Sequence, residues 1–477
     1  MSFLSFSFAG FVVLALFFYE VLPQRFKAPF LLAASCFFYG LSGVKALLLL
    51  LFSAAVFFTL GERMEKAGEG GKRRCLIFGI LFQFSILFFF KTEASFKLTG
   101  LDVLLPLGIS YYTFKLAGYL LNIYWGKEKP EPSFIAFANH VAFFPQIVCG
   151  PIQKSRDFLA QMKGSLGTSP EWVSGGLRLI LCGLFKKLVV SDILSDHIAL
   201  LMNRSPEHVG LGGWVTVYCI PLQIYADFSG ITDIAMGLGR IFGFQSPRNF
   251  SQPFYAPNIQ EFWRRWHITL TDWIREYLFT PLQIFTRDLG KAGLVISLSV
   301  TMIAIGVWHG VAWNWLAFGL LHAFYLSASV LTLSFRNAFF RKHAGLGGIR
   351  PVVGALITYH MVLLSFVFFK VSSWGDFLYV LGIFARQTES ILRHVHSASF
   401  YRHALRSGFD LGLRELATIV GIVGMMEAIH LFQNSARLRD HFRSMPAYLR
   451  LSVYLGLIVS IAWLGRNHNL EFTYSLF

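Results

Sequence analysis

The chain has 477 residues, 55% of them hydrophobic, 17% aromatic and only 14% charged, with a net charge of +16. A soluble domain is about 25% charged, and a soluble chain this long usually divides into domains, yet no polar or Gly/Ser-rich linker is present. The composition argues against a soluble enzyme or binding module and predicts one all-α, polytopic membrane protein over residues 1–477.

Taken in chain order, apolar runs occur at 2–22, 29–60, 75–90, 172–202, 212–236, 292–333, 351–370, 411–433 and 451–465. One helical crossing needs about 20 residues. The run 29–60 is long enough for two passes broken near Gly40 and Gly43, and 292–333 also reads as two. About ten to twelve transmembrane helices are therefore expected. The half-apolar stretches 103–125, 134–152 and 250–285 are too polar for lipid and too aromatic for plain loops. They are expected to be re-entrant or interfacial helices. No inverted repeat is visible, which disfavours a secondary transporter.

Basic residues flank the apolar runs: Arg25 and Lys27, then Arg63 to Arg74, and finally Arg437 to Arg450. Positive loops stay in the cytoplasm, so both termini are expected outside, with 466–477 an extracytoplasmic tail. Charge in these positions predicts contact with the lipid bilayer and no nucleic-acid partner. No small-residue cleavage site follows the first run, which reads as uncleaved. The five cysteines are scattered and read as small buried hydrophobes. His394 and His396 lie in a basic stretch without an acidic or Cys partner, so no metal site is expected.

Three segments carry chemistry. The first is "PLGISYYTFKLAGYLLNIYWGKEKPEP" (106–132) with "FANHVAFFPQIVCGPIQK" (137–154), where Pro and Gly break the chain at membrane depth. The second, 224–282, sets Asp227, Asp233, Arg240, Arg248, Arg264, Arg265, His267, Asp272 and Arg275 among aromatic residues that include Trp263 and Trp266. The third, "IAIGVWHGVAWNWLAFGLLHAFYL" (303–326), carries Trp308, His309, Asn314 and His322. Ionisable groups amid such apolar sequence usually face a wet interior and are functional candidates.

"YADFSGITDIAMGLGRIFGF", "EFWRRWHITLTDWIREYLFTPL" and "GVWHGVAWNWLAFGLLHAFY" resemble the signature blocks of the membrane-bound O-acyltransferases. Within that family they are most similar to the bacterial polysaccharide O-acetylase branch, alginate-type, with teichoic-acid D-alanylation a near cousin. The likeness runs in order from about residue 100 to 330; the remaining spans match only in character. It implies a fold around a central tunnel, a catalytic His309 and a second polar partner, His267. It implies an acyl thioester donor from the cytoplasm, acetyl-CoA or an acyl-carrier phosphopantetheine, and no bound cofactor. It also implies a hydroxyl acceptor outside, in O-acetylation of an exported polysaccharide at the bacterial inner membrane. A periplasmic SGNH-type acetylesterase-like protein is the implied partner. Acetyl is expected over D-alanyl because the motifs are nearer the alginate branch.

The chemistry agrees. A hydroxyl must lose its proton to attack, and imidazole is suited to take it. A thioester is already activated, so no enzyme nucleophile is needed. The competing classes are a transporter or flippase, whose buried charges would form a substrate path, and a non-catalytic assembly subunit.

Four further expectations follow. His322 would lie about 220° round and ~20 Å from His309 on a continuous helix, which makes it a packing or pathway residue. Arg240, Arg248, Arg264, Arg265 and Arg275 would form a basic funnel for the donor's phosphates; the competing account pairs them with Asp227, Asp233 and Asp272. His267 would orient His309 or polarise the thioester carbonyl. The ending "FTYSLF" (472–477) resembles the C-terminal motif of alginate-type acetylases and that of a small partner peptide in D-alanylation. That likeness implies that Tyr474 relays the acyl group.

Overall fold

Long runs of Leu, Phe, Ile and Val hold no partner for the backbone except the backbone itself, and in lipid that requires helices. A computed structural model describes residues 3–97, 105–204, 211–343, 345, 347–400, 402 and 411–466, and every regular element among them is helical. The tail 467–477, with Tyr474, lies outside the described residues.

Among the described residues seven helices are long and apolar enough to cross a membrane: Val44–Lys66, Glu69–Phe96, Arg287–His309, Trp313–Leu331, Arg350–Val367, Leu413–Asn434 and Ala447–Leu464. The all-α polytopic class therefore holds. The larger expected number counted segments that fall short of this measure for identifiable reasons. Phe6–Val21 and Gln24–Gly40 have 16 and 17 residues. The run 172–202 divides into Pro170–Leu184, a π-helix Phe185–Ser191 and Asp192–Met202. Leu211–Ile241 has 31 residues but carries Asp227, Asp233 and Arg240.

Seven helices are labelled here: α1 Phe6–Val21, α2 Gln24–Gly40, α3 Val44–Lys66, α4 Glu69–Phe96, α5 Pro170–Leu184, α6 Leu211–Ile241 and α7 Gly290–His309. The turn between α2 and α3 falls at the expected glycines, and Gly43 takes φ 143°, which a side chain rarely tolerates. The first four helices pack sequentially, α1 on α2, α2 on α3 and α3 on α4. The basic ends at 22–27 and 63–74 therefore share one face. Gln24 donates to the Leu166 carbonyl and Tyr19 to that of Phe242, which brings 163–172 and 240–248 to the same face.

The half-apolar stretches fold inside the protein. Fourteen of the residues in Ile109–Tyr124 are buried, and the segment 253–285 is a chain of short helices.

Helices α5 and α6 cross through glycine. A Cβ on Gly176 would meet the Gly237 carbonyl at 2.6 Å, and one on Gly183 would meet that of Gly230 at 2.5 Å. The reciprocal clashes are 2.6 and 2.8 Å. Small residues on both sides let the backbones approach closely, and the van der Waals packing that results favours helix association in lipid. Gly183→Val is expected to separate the pair and lower the thermal unfolding midpoint of the purified protein by several degrees. An unchanged midpoint would count against the crossing.

Candidate active site

Helix α7 ends at His309, and the next helix starts at Trp313, so the run 292–333 is broken as two spans require. The break matters for His322: the continuous-helix separation from His309 does not apply. The two helices fold back on each other, and the Phe318 ring contacts both imidazoles, at 5.8 Å from His309 and 4.6 Å from His322. The hairpin closes tightly, with a Cβ on Gly306 only 2.4 Å from the Trp315 carbonyl.

His309 is buried, 4% exposed, in an aromatic box. Trp315 stacks on it at 5.3 Å, Phe369 stands at 5.3 Å and Trp308 at 4.7 Å. Gly310 leaves room for Trp315: a Cβ there would lie 2.4 Å from the indole. A helix end buried in protein leaves carbonyls without donors. Lys91, near the end of α4, supplies them. Its ammonium donates to the Trp308 carbonyl and, at 3.2 Å, to that of His309. It also lies 5.4 Å from the Trp308 ring centre. The clamp on the two carbonyls fixes where the imidazole begins.

His267 sits across Trp308 from His309, its ring 6.3 Å from the indole. It caps the short helix Ile268–Ile274 at φ 41°, a left-handed conformation costly for a non-glycine residue. It is 1% exposed, and neither ring nitrogen makes a hydrogen bond among the described residues. The Trp308 Nε1–H is likewise buried without an acceptor among them. Tyr111 closes the group, 6.3 Å from His267 and 6.4 Å from Trp308.

A cavity of about 310 Å³ is lined by Arg178, Arg240, Arg248 and Arg439 and by the Lys186–Asp233 pair. Phe250 in its wall stands 5.1 Å from Phe228, whose ring is 4.8 Å from His267. Two packed rings, Phe250 and Phe228, thus stand between the cavity and His267.

Residues 127–368 match the sequence profile of the MBOAT, membrane-bound O-acyltransferase, family. The chain belongs to that family. Its relatives include a "Probable alginate O-acetylase" of Pseudomonas syringae pv. tomato, 33% identical over 65% of this chain and 62% of that protein. A "Peptidoglycan O-acetyltransferase" of Helicobacter pylori is 30% identical over 76% of this chain and 75% of that protein. A "Teichoic acid D-alanyltransferase" of Bacillus subtilis is 28% identical over 55% and 68%. The chain spans about three fifths of the length of the alginate relatives it matches.

In this MBOAT chain the arginines named from sequence part company. Arg240 and Arg248 line the cavity, and Arg240 stacks over Trp172 at 5.5 Å. Arg264 and Arg265 instead face Glu261, at 2.6 and 3.8 Å, and Arg275 pairs with Asp272 at 2.7 Å. Nearby Glu276 is pushed up by burial and down by its ion pairs with Lys127 and Lys154; the ammoniums win, and its carboxyl lies below the usual range. Asp227 and Asp233 meet lysines: Lys187 bridges Asp192 and Asp227, each at 2.9 Å, and Lys186 meets Asp233 at 2.8 Å.

Trp263 donates its N–H to His322 Nδ1 at 3.3 Å. Ser365 gives its own proton to the Val362 carbonyl, so His322 Nε2–H donates to Ser365 at 3.0 Å. Both nitrogens of His322 are committed to these two hydrogen bonds. Asn314 ties its amide to the Phe368 and Val371 carbonyls. Sequence reading missed Lys91, Lys186, Lys187 and Asp192. The signal for them was a lysine or aspartate set inside "FFFKTEAS" and "LFKKLVVSD".

Proposed function

We propose that this protein is an O-acyltransferase that moves an acetyl group from a cytoplasmic thioester to a hydroxyl on an exported carbohydrate polymer. The observation that carries the reading is the buried group His267, Trp308 and His309, separated by Phe228 and Phe250 from a basic cavity. The names of the alginate and peptidoglycan relatives support acetyl and a polymer acceptor. By the positive-inside rule the basic face is cytoplasmic in an inner membrane, with the cavity mouth on that side.

In this mechanism the donor's phosphates rest on Arg240 and Arg248, and its acyl arm passes Phe250 and Phe228 toward His267. His309 takes the proton of the incoming hydroxyl. The hydroxyl oxygen attacks the thioester carbon, the carbon–sulfur bond breaks, and the leaving thiolate regains the proton from the imidazole. His267 polarises the carbonyl. Tyr474 is the first acceptor in our scheme, and a periplasmic SGNH-type protein collects the acyl group from it. D-alanyl transfer is the second reading, favoured by the Bacillus subtilis relative.

The test uses inverted membrane vesicles carrying the full chain, supplied with radiolabelled acetyl-CoA. Label in polymeric carbohydrate that requires His309 supports the reading; label from the D-alanyl-loaded carrier alone would replace it with the second. The arginine geometry gives a sharper result in the same assay. Arg240→Ala and Arg248→Ala are each expected to raise the donor KM about tenfold, as loss of a charge-assisted contact to phosphate does. Arg264→Ala should leave it within twofold. Equal effects at all three positions would remove the cavity from the donor's path.

A further inference from the structure

Two buried groups beside His309 have no hydrogen-bond partner among the described residues: the ring nitrogens of His267 and the Trp308 Nε1–H. Their rings are 6.3 Å apart. Buried donors in proteins are nearly always satisfied, and an orphan in a site calls for an explanation. An acceptor that exists only during the reaction is one. Acyl transfer creates such an acceptor when the carbonyl oxygen becomes an oxyanion in the tetrahedral intermediate.

We infer that the Trp308 indole N–H is a catalytic oxyanion donor, acting beside His267 on the same oxygen. This rests on the acyltransferase reading above. Indole suits the task because it is a donor only. It cannot remove the proton that His309 must carry, and its donor does not depend on protonation state. Its place is fixed from two sides. The Lys91 amino group donates to the Trp308 carbonyl and lies over the indole. Phe114 packs against the same indole at 5.5 Å.

The step balances. The acceptor oxygen bonds to the thioester carbon while its proton passes to His309. The carbonyl π pair moves onto oxygen, to which the indole N–H donates a hydrogen bond. The pair returns as the carbon–sulfur bond breaks, and the thiolate takes the proton from the imidazolium.

Trp308→Phe keeps an aromatic ring and removes the donor. In the acetyl-CoA vesicle assay it is expected to lower kcat about 10²–10³-fold, the usual loss for one oxyanion donor, with the donor KM within threefold. A kcat within threefold of the unaltered chain overturns the inference. Phenylalanine is also smaller, so a second variant carries 3-benzothienylalanine at 308, which keeps the indole's shape with sulfur in place of N–H. If that isostere restores turnover, shape was the requirement and the inference falls; if the loss persists, the hydrogen bond was. His309→Ala measured alongside separates the two levels. Turnover retained by His309→Ala defeats the acyltransferase mechanism itself, whereas turnover retained only by Trp308→Phe defeats the donor alone.

Discussion

His309→Ala is expected to lower acyl transfer about 10²–10⁴-fold, the range a positioned general base supplies, while leaving the folded protein intact. The imidazole packs on Trp315, Phe318 and Phe369, and these rings also pack on one another, at 4.8 Å for Trp315 with Phe369 and 5.1 Å for Phe318 with Phe369. The box therefore survives loss of the ring it encloses. The Lys91 clamp grips main-chain carbonyls rather than the side chain, so it too survives. The measurement is transfer per folded molecule, with size-exclusion behaviour as the control. Turnover within tenfold of the unaltered chain would show that the base lies elsewhere, and the transporter or assembly-subunit classes would return.

Lys187→Met is expected to be the most damaging change away from the site. Lys187 serves Asp192 and Asp227 together, and all three side chains are 3% exposed or less. Removing one partner from a buried ion cluster typically costs about 3–5 kcal/mol. Lys370 also acts on Asp227, so the loss is expected within that range. Folded yield and thermal midpoint in detergent should both drop. Replacing Lys187, Asp192 and Asp227 together by Met, Asn and Asn should recover part of the loss, because the two carboxylates that Lys187 answers leave with it. A Lys187→Met protein as stable as the unaltered one would mean the cluster contributes nothing net.

How much of this was legible in the sequence depends on the range of the contacts. The broken spans at Gly40–Gly43 and within 292–333 are local signals, and they hold. His309 and His267 stand in the quoted motifs, but their meeting across Trp308 joins segments far apart in the chain. Lys91 lies |i−j| = 218 from His309. A lone lysine near the end of an apolar run reads as one that snorkels to the surface, and nothing local says that it turns inward. The arginines illustrate the opposite error. Density in 240–275 suggested one funnel, yet Arg264 stands three residues after Glu261 and Arg275 three after Asp272, spacings that favour pairing on one helix face. The competing account names Asp272 as a partner, but not Glu261.

The ion cluster between the π-helix and α6 has a consequence for how the protein is made. An aspartate or lysine at the centre of a helix costs roughly 2.5–3.5 kcal/mol when the translocon passes that segment into lipid. Leu211–Ile241 carries Asp227 and Asp233, and Phe185–Ser191 carries Lys186 and Lys187. Neither segment partitions well alone, but paired they enter with their charges already neutralised. The glycine crossing of α5 on α6 lets the two backbones meet before any side chain must be rearranged. The segment from 170 to 241 is therefore expected to leave the translocon as one hairpin rather than helix by helix. The bilayer receives the centre of this protein only after it has been assembled.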